Sequence, residues 1–432
     1  MNYKESIYWL YSFDKYGSKL GLERINELLK LLDNPQNKIK TIHVTGTNGK
    51  GSICKFIGSI LSQAGYNVGV YISPHLERFS ERIVINNKEI SKKDITVLIN
   101  EIKPLIEKMI SENNIPTFFE IVTAMTFMYF YNKNVDFAVV EVGLGGRYDA
   151  TNVITPLVSI ISNISSEHTD ILGKDLKSIA FEKAGIIKQD IQVVSAVKGS
   201  GKEVIERVAN EKKAPLRYVN KKDWERIDNN NSFQRFLIKG SLKNYDIKTS
   251  LLGKYQGENI SLAIASIEEL QMLGVYISDE DIVEGILKTT NPGRMEILSY
   301  NPMILLDGAH NPGGIQKLCN SLKNDFSYHR LILVLGILKD KNYKKMISLI
   351  TPLSNIIILT KSSNPRACEP KKLHETISKL ELDKKIEKMD DISKAISYAI
   401  SQSKKDDLIC ITGSLYTVGE ARSSLLRKTL KI

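Results

Sequence analysis

Short apolar, β-branched runs alternate along this chain with longer stretches whose apolar residues recur at three- and four-residue spacing. The runs predict strands over residues 42–45, 68–72, 137–142, 158–161 and 192–196. The periodic stretches between them predict helices over 53–64, closed by Gly65, and over 92–110 and 119–131. Residues 223–251 lose this rhythm and read as short antiparallel strands and turns. Two more helices are expected around 258–272 and 279–289. Thr290-Asn291-Pro292-Gly293-Arg294 is then a break rich in turn formers. Alternation restarts beyond it, with strands over 303–306, 331–335, 355–360 and 407–411 and helices over 313–322, 343–350, 370–380 and 392–402. This order is that of an α/β protein with mostly parallel sheets. The expected division is a larger N-terminal domain, residues 1–295, and a smaller Rossmann-like α/β domain, residues 296–432, with the boundary near 295–300.

Composition narrows the class. A chain of 432 residues exceeds what one core organises, which agrees with two domains. No window approaches the apolar length of a membrane span, and the first ten residues lack a signal peptide's basic-then-apolar order. Cys54, Cys319, Cys368 and Cys410 are scattered without metal-type spacing, so they read as reduced thiols of a cytoplasmic protein. The formal charge of +11 suits anionic ligands. Its basic residues are spread along the chain rather than gathered in an aromatic-laced stripe, which speaks against nucleic acid.

The candidate chemistry begins at Thr41-Ile42-His43-Val44-Thr45-Gly46-Thr47-Asn48-Gly49-Lys50-Gly51-Ser52. A β-branched run ends in a glycine-rich turn, then a lysine and a hydroxyl, then an apolar helical pattern. Glycines let backbone N–H groups converge on oxyanions, the lysine supplies a point charge, and the hydroxyl can reach a phosphate-bound magnesium. The general P-loop pattern is met imperfectly: Val44 stands where the first glycine is expected, and Gly51 separates Lys50 from Ser52.

Other strand ends add polar groups. The run 137–142 ends near Glu141 and enters Gly143-Leu144-Gly145-Gly146-Arg147-Tyr148-Asp149-Ala150. A carboxylate at the end of a buried strand points to the crevice where α/β sheets bind ligands. The run 158–161 leads to His168, and 68–72 leads to Ser73. On the expected helix 175–187, Lys183 shares a face with Leu176, Ile179, Ala180 and Ile187. Either its stem is buried while the amine reaches water, or the amine is turned toward a site. In the second domain the strand 303–306 delivers Asp307 and His310, while Asn311-Pro312 makes a good helix start.

Taken in order, TGTNGKGS, YISPHL, FFEIVTA, EVGLGGRYDATN, SSEHTDILG, FEKAGI, GENISLAI, NPGRMEI, LDGAHNPGG and GSLYTVGEA resemble the folylpolyglutamate synthase / dihydrofolate synthase family, relatives of the Mur ligases, over about residues 3–424. The resemblance implies a P-loop-type ATPase domain followed by a glutamate-ligase domain. It implies ATP phosphates on Asn48, Gly49, Lys50, Gly51 and Ser52, with Asn259, Arg294 and Asp307 as further nucleotide contacts. Mg2+, with Mn2+ as an alternative ion, would be held by Ser52, and at a second position by Ser73, Glu141 and His168. Lys183 matches the family's carbamylated lysine. Together Lys50, Lys183, His168, Asp307 and His310 form the expected catalytic set. The pterin substrate would lie near Gly21, Leu22, Arg24, Phe118, Phe119, Glu120, Tyr148, Asp149 and Ala150, and the incoming L-glutamate near His310 and Ser414. The implied activity is ligation of glutamate to dihydropteroate, to reduced folate, or to both, by a monomer. A monofunctional folylpolyglutamate synthase and a Mur-type amino-acid ligase are the alternatives, the latter disfavoured by Gly51.

Overall fold

The computed structural model describes residues 1–17, 19–167, 169–173 and 175–429. It comprises two units. The first is Met1–Glu225, Phe236–Ile247 and Gly257–Thr289; the second is Arg226–Arg235, Lys248–Gln256 and Thr290–Ile432. This differs from a single break near residue 295, because two internal ribbons of the irregular stretch 223–251 and its flank group with the C-terminal portion.

The first unit is built on eight strands: β1 (Lys40–Thr45), β2 (Val68–Tyr71), β3 (Ile83–Ile85), β4 (Lys88–Glu89), β5 (Phe137–Glu141), β6 (Val158–Ile161), β7 (Gln192–Ser195) and β8 (Leu216–Tyr218). Their order is β4-β3-β2-β5-β1-β6-β7-β8. All neighbours run parallel except the β2–β3–β4 edge. Strands β5 and β6 are buried along their full length, which accounts for their unbroken apolar runs. After β1 the chain crosses to β2 and runs out to the β3–β4 edge, returns to insert β5 between β2 and β1, and then builds the other side through β6, β7 and β8. The strand order therefore reverses at β1, and the carboxyl ends of β5, β1 and β6 flank the crevice that such a reversal creates. The helix Phe118–Asn132 is buried from Phe118 to Phe130 apart from Phe119, as expected of a helix that is apolar nearly all round.

Three further strands, β9 (Trp224–Asn229), β10 (Gln234–Lys239) and β11 (Asn244–Thr249), form a small sheet in the order β11-β10-β9. Strands β10 and β11 bury alternate residues, the period-two signature of a sheet with one wet face. The β10–β11 turn is fastened by Glu268 on the helix Gln256–Met272. Its buried carboxylate accepts from Arg217 Nη2 (2.5 Å), Ser241 N–H (2.9 Å), Ser241 Oγ–H (3.0 Å), Leu242 N–H (3.0 Å) and Tyr245 Oη–H (3.1 Å). Glu268→Ala leaves the Ser241 and Leu242 amides and the Tyr245 hydroxyl without their acceptor and takes one of two carboxylates from the half-buried Arg217, so it is expected to destabilise the first unit by about 3 kcal/mol. Chemical denaturation of both proteins measures this, and a change below about 1 kcal/mol contradicts the clamp.

The second unit carries six strands: β12 (Glu296–Tyr300), β13 (Met303–Asp307), β14 (Leu331–Leu335), β15 (Ile356–Leu359), β16 (Lys385–Lys388) and β17 (Leu408–Thr412). Their order is β12-β13-β17-β14-β15-β16, parallel throughout except for β12. A core of Leu305, Leu318, Leu333, Ile347, Ile357, Leu373 and Cys410 joins this sheet to its helices. Among the described residues no helix is long and apolar enough to cross a membrane.

Candidate active site

Strand β1 hands the chain to the turn Gly46–Gly49, and Lys50 opens the 14-residue helix Lys50–Gln63, three residues earlier than its apolar pattern suggested. Gly49 is the N-cap at φ +91°, a conformation that L side chains rarely adopt. A Cβ there would also sit 2.4 Å from Asn259 Oδ1, so the turn and Asn259 are in close approach. A Cβ at Gly46 would lie 1.9 Å from Ser162 Oγ. The turn is held from the end of β6. Thr47 N–H donates to Asn163 O (2.8 Å), Asn48 N–H to Asn163 Oδ1 (3.1 Å), and both Ser162 Oγ–H and Asn163 Nδ2–H to Asn48 O (2.8 Å each). The helix start, with its unsatisfied N–H groups and positive dipole end, is thereby preset for an anion. Gly49→Ala should weaken binding of a nucleoside triphosphate at least about tenfold, read by calorimetric titration, through the strained φ and the clash with Asn259.

Lys50 Nζ donates to Gly46 O (3.1 Å) and lies 3.9 Å from Glu141 Oε1. Glu141 ends β5, and its other oxygen accepts from Ser73 N–H (3.0 Å). A Cβ on Gly51 would sit 3.5 Å from Glu141 Oε2, so the strand-end acid adjoins the first turn of the helix that carries Ser52. The fold thus brings Asn48, Gly49, Lys50, Gly51, Ser52, Ser73, Glu141 and Asn259 to one strand end. Ser52, Ser73 and Glu141 offer an all-oxygen donor set, one carboxylate and two hydroxyls, which fits a magnesium ion that keeps waters and takes its remaining ligands from phosphate. Among the described residues no group of three or more His, Cys, Asp or Glu side chains is placed to hold a metal. His168 lies outside the described residues.

Lys183 is 4% exposed, so the amine does not snorkel to water. The expected stripe is corrected in one respect. The helix is Leu176–Ala184, and Leu176 is 39% exposed, so Lys183 is not buried by sharing a face with it. Lys183 is buried together with Ile179 and Ala180 of its own helix, whose last turn meets the glycine-rich loop after β5: Arg147 N–H donates to Glu182 O (2.8 Å), and a Cβ on Gly146 would meet Lys183 O at 3.0 Å. Burial, and secondarily the charge of Lys50, push the Lys183 amine down to about 7, against the opposing pull of Glu167 and Asp149.

The expected pterin residues fall into two groups. Arg24 pairs with the buried Glu120 carboxylate at 3.1 Å, and Glu120 also caps its own helix by accepting from Thr117 N–H (2.7 Å). Phe119 stacks on Tyr71 at 6.1 Å and fills the space a Cβ on Gly143 would take. Asp149 accepts from Leu144 N–H (2.8 Å), Thr151 N–H (3.0 Å) and Thr151 Oγ–H (2.5 Å), and burial raises its carboxyl above the usual range. Ala150 is buried beside it. Tyr148 is 40% exposed and lies under the Arg147 guanidinium (5.0 Å), rather than lining a closed pocket. Gly21 takes φ +124°, and Leu22 is the N-cap of the helix Glu23–Leu31.

In the second unit, Asp307 ends β13 beside Thr412 of β17, two residues before Ser414. Its oxygens accept from Met295 N–H and Ala309 N–H (3.0 Å each), and burial outweighs Arg294 to raise its carboxyl. Arg294 Nη1–H donates to Gly308 O (3.1 Å), which also lies 3.0 Å from His310 Nδ1. Ser414 Oγ is 2.8 Å from Thr417 Oγ1 and accepts from Thr417 N–H (3.1 Å). Asn311 caps the helix Pro312–Asn324, as its pairing with Pro312 suggested. The sequence reading did not single out Ser162 and Asn163, which hold the turn from the end of β6.

Known proteins resemble this chain over nearly its whole length. The Mur ligase middle domain model matches residues 44–267, and the Mur ligase glutamate ligase domain model matches residues 293–415. Dihydrofolate synthase/folylpolyglutamate synthase of Bacillus subtilis is 39% identical over 98% of this chain and 99% of its own. The folylpolyglutamate synthase of Mycobacterium tuberculosis, solved with ADP and AMPPCP, superposes with a TM-score of 0.91 at 31% identity, covering 98% and 99% of the two chains. The Escherichia coli enzyme FolC, solved with DHPP and ADP, gives 0.88 at 27% identity over 99% of each chain. This chain belongs to the dihydrofolate synthase/folylpolyglutamate synthase family of ligases.

Proposed function

We propose that this protein is an ATP-dependent acid–amino-acid ligase that adds L-glutamate both to dihydropteroate and to the γ-glutamyl end of reduced folates. The observation that carries the reading is the joining of a preset phosphate turn, Lys50, Glu141 and a buried, low-pKa Lys183 at one strand end. The ADP, AMPPCP and DHPP in the related structures support the substrate classes. Residues 1–295 act as the ATP-binding domain and residues 296–432 as the glutamate-ligase domain. Four buried free cysteines support a reducing, cytoplasmic setting, and the protein is assigned as a monomer.

A carboxylate does not condense with an amine in water because its oxygen is a poor leaving group. The acceptor carboxylate attacks the γ-phosphorus of ATP, ADP departs, and an acyl phosphate remains. The glutamate amine then attacks the acyl carbon, phosphate leaves, and the amine proton is lost. The turn amides and Lys50 balance the charge spread over the transferring phosphoryl group. Arg294 and Asp307 complete the nucleotide contacts. Glu141 is held by Ser73 N–H and Lys50 at the position where Ser52, Ser73 and Glu141 would hold Mg2+, which when bound neutralises phosphate charge. Lys183, converted to its carbamate, adds an anion beside Lys50. Asp149 and Phe119 orient the pterin, and His310 and Ser414 receive glutamate.

The test is ADP release with ATP, Mg2+ and L-glutamate, adding dihydropteroate, tetrahydrofolate or a muramyl-alanine acceptor in turn. Stimulation by both pterins is the expected result. Tetrahydrofolate alone reduces the enzyme to a polyglutamate synthase, and no response to either pterin overturns the folate assignment.

A further inference from the structure

Arg82 is a buried cation without an acid. Its side chain belongs to a residue only 8% exposed, yet among the described residues no carboxylate lies within ion-pair distance of the guanidinium. Its terminal nitrogens are not among the buried polar atoms left without a partner, so they face solvent, where an anionic ligand can reach them. Two contacts hold it in place. Nε–H donates to His75 Nδ1 (2.8 Å), and the guanidinium carbon lies 5.4 Å from the centroid of the Phe118 ring. In this contact Nδ1 is the unprotonated ring nitrogen, since the arginine can only donate. Both contacts leave the two terminal amino groups unspent, an arrangement that suits one carboxylate accepting two parallel bonds.

Its location ties this cation to the reaction. Ile72 N–H donates to Arg82 O (3.0 Å), the next amide, that of Ser73, donates to Glu141 (3.0 Å), and Glu141 lies 3.9 Å from Lys50. Phe118, which the guanidinium faces, neighbours Phe119 and Glu120 in the expected pterin region. Arg82 therefore stands at the phosphate end of the sheet without touching the phosphate turn. The proposed acceptors differ in one respect that such a cation can read. Dihydropteroate ends in a single carboxylate, the one that reacts. A folate ends in a glutamate with two, and while the γ-carboxylate is activated the α-carboxylate needs a partner of its own.

We propose that Arg82 binds the non-reacting α-carboxylate of the folate's terminal glutamate, held ready by His75 and Phe118, and so favours chain extension over the first glutamylation. This rests on the folate reading of the site. It is tested by steady-state kinetics on wild type, Arg82→Gln and Arg82→Lys with tetrahydrofolate, its α-carboxamide analogue and dihydropteroate. Wild type should use the carboxamide at least about tenfold less efficiently than tetrahydrofolate, the value of a charge-assisted pair. Arg82→Gln should erase that preference, and its loss with tetrahydrofolate should exceed its loss with dihydropteroate by about the same factor. Arg82→Lys should recover part of it. A wild-type enzyme indifferent to the carboxamide overturns the proposal without recourse to any variant. So does an Arg82→Gln enzyme that keeps the preference or loses all three acceptors equally, which marks a purely structural arginine. Failure of the wild type with every pterin overturns the proposed function instead, a result distinct from lost discrimination.

Discussion

Lys50→Ala is expected to leave a folded protein whose ADP release falls by at least about a thousandfold. The amine is held 3.1 Å from Gly46 O at the entrance of the helix, so it acts as a fixed charge at the place where a γ-phosphate sits. Its loss is not offset by the backbone amides, whose partial charges cannot match a full positive charge as the phosphoryl group transfers. Stability should change little, because Lys50 is partly exposed and Glu141 keeps its bond from Ser73 N–H. Thermal unfolding within a few degrees of wild type, together with abolished turnover, is the combined result expected. Lys50→Arg should not rescue, since a planar fork does not fit a site shaped for a compact ammonium. Near-normal rates in Lys50→Ala would remove the turn as the phosphate site.

Lys183→Ala should cost about a hundredfold or more in turnover, with a pH signature that a packing role would not give. Carbamate forms only on a neutral amine, and the Lys183 amine is pushed down to about 7 rather than standing near its ordinary value of 10.5. Wild-type activity should therefore fall as pH drops through about 7, decline in buffer stripped of CO2, and return when bicarbonate is added. Intact-mass analysis should find one added CO2 in wild type and none in the variant. The stability effect has a definite sign. Between pH 7 and 10.5 the unfolded chain binds more protons at this position than the folded one, so the CO2-free protein gains stability as pH rises through that window. Near pH 7 and below, the buried ammonium is a burden. Lys183→Met should then unfold at a higher temperature than the CO2-free wild type while remaining inactive. Activity indifferent to CO2 and to pH around 7 would leave Lys183 a structural residue.

The legible parts of the fold were those in which one short segment contains its own cause. Strand β6 was read to the residue, because both faces of a central parallel strand are buried and the apolar run is continuous. The turn before Lys50 was legible because glycine at a positive φ leaves a mark in sequence. Strand β16, with the residues Lys-Ile-Glu-Lys at an exposed edge, has no such mark and was not seen. Lys183 was legible from its helical spacing with apolar residues. Of the expected stripe only Leu176 is exposed; Ile179, Ala180 and Ile187 are buried as Lys183 is. Arg82 could not be found by pattern at all, since what distinguishes it is an acid that is missing and a neutral histidine seven residues away. Asn259 likewise entered only through family resemblance, as its approach to Gly49 joins segments some two hundred residues apart.

The ribbons Arg226–Arg235 and Lys248–Gln256 bear on how enzymes of this kind can be recombined. Arg226 pairs with Asp325 at 2.6 Å, and the buried Gln234 amide donates to Gly253 O (2.9 Å), all within the second unit. A gene fragment beginning at residue 290 would leave Asp325 without its arginine and would strip the core of Leu252 and of Tyr255, which packs against it. The two halves are thus not interchangeable cassettes separated by one cut. A chimera between relatives should carry both ribbons along with the C-terminal portion, and an insertion placed at residue 290 interrupts a module rather than a seam.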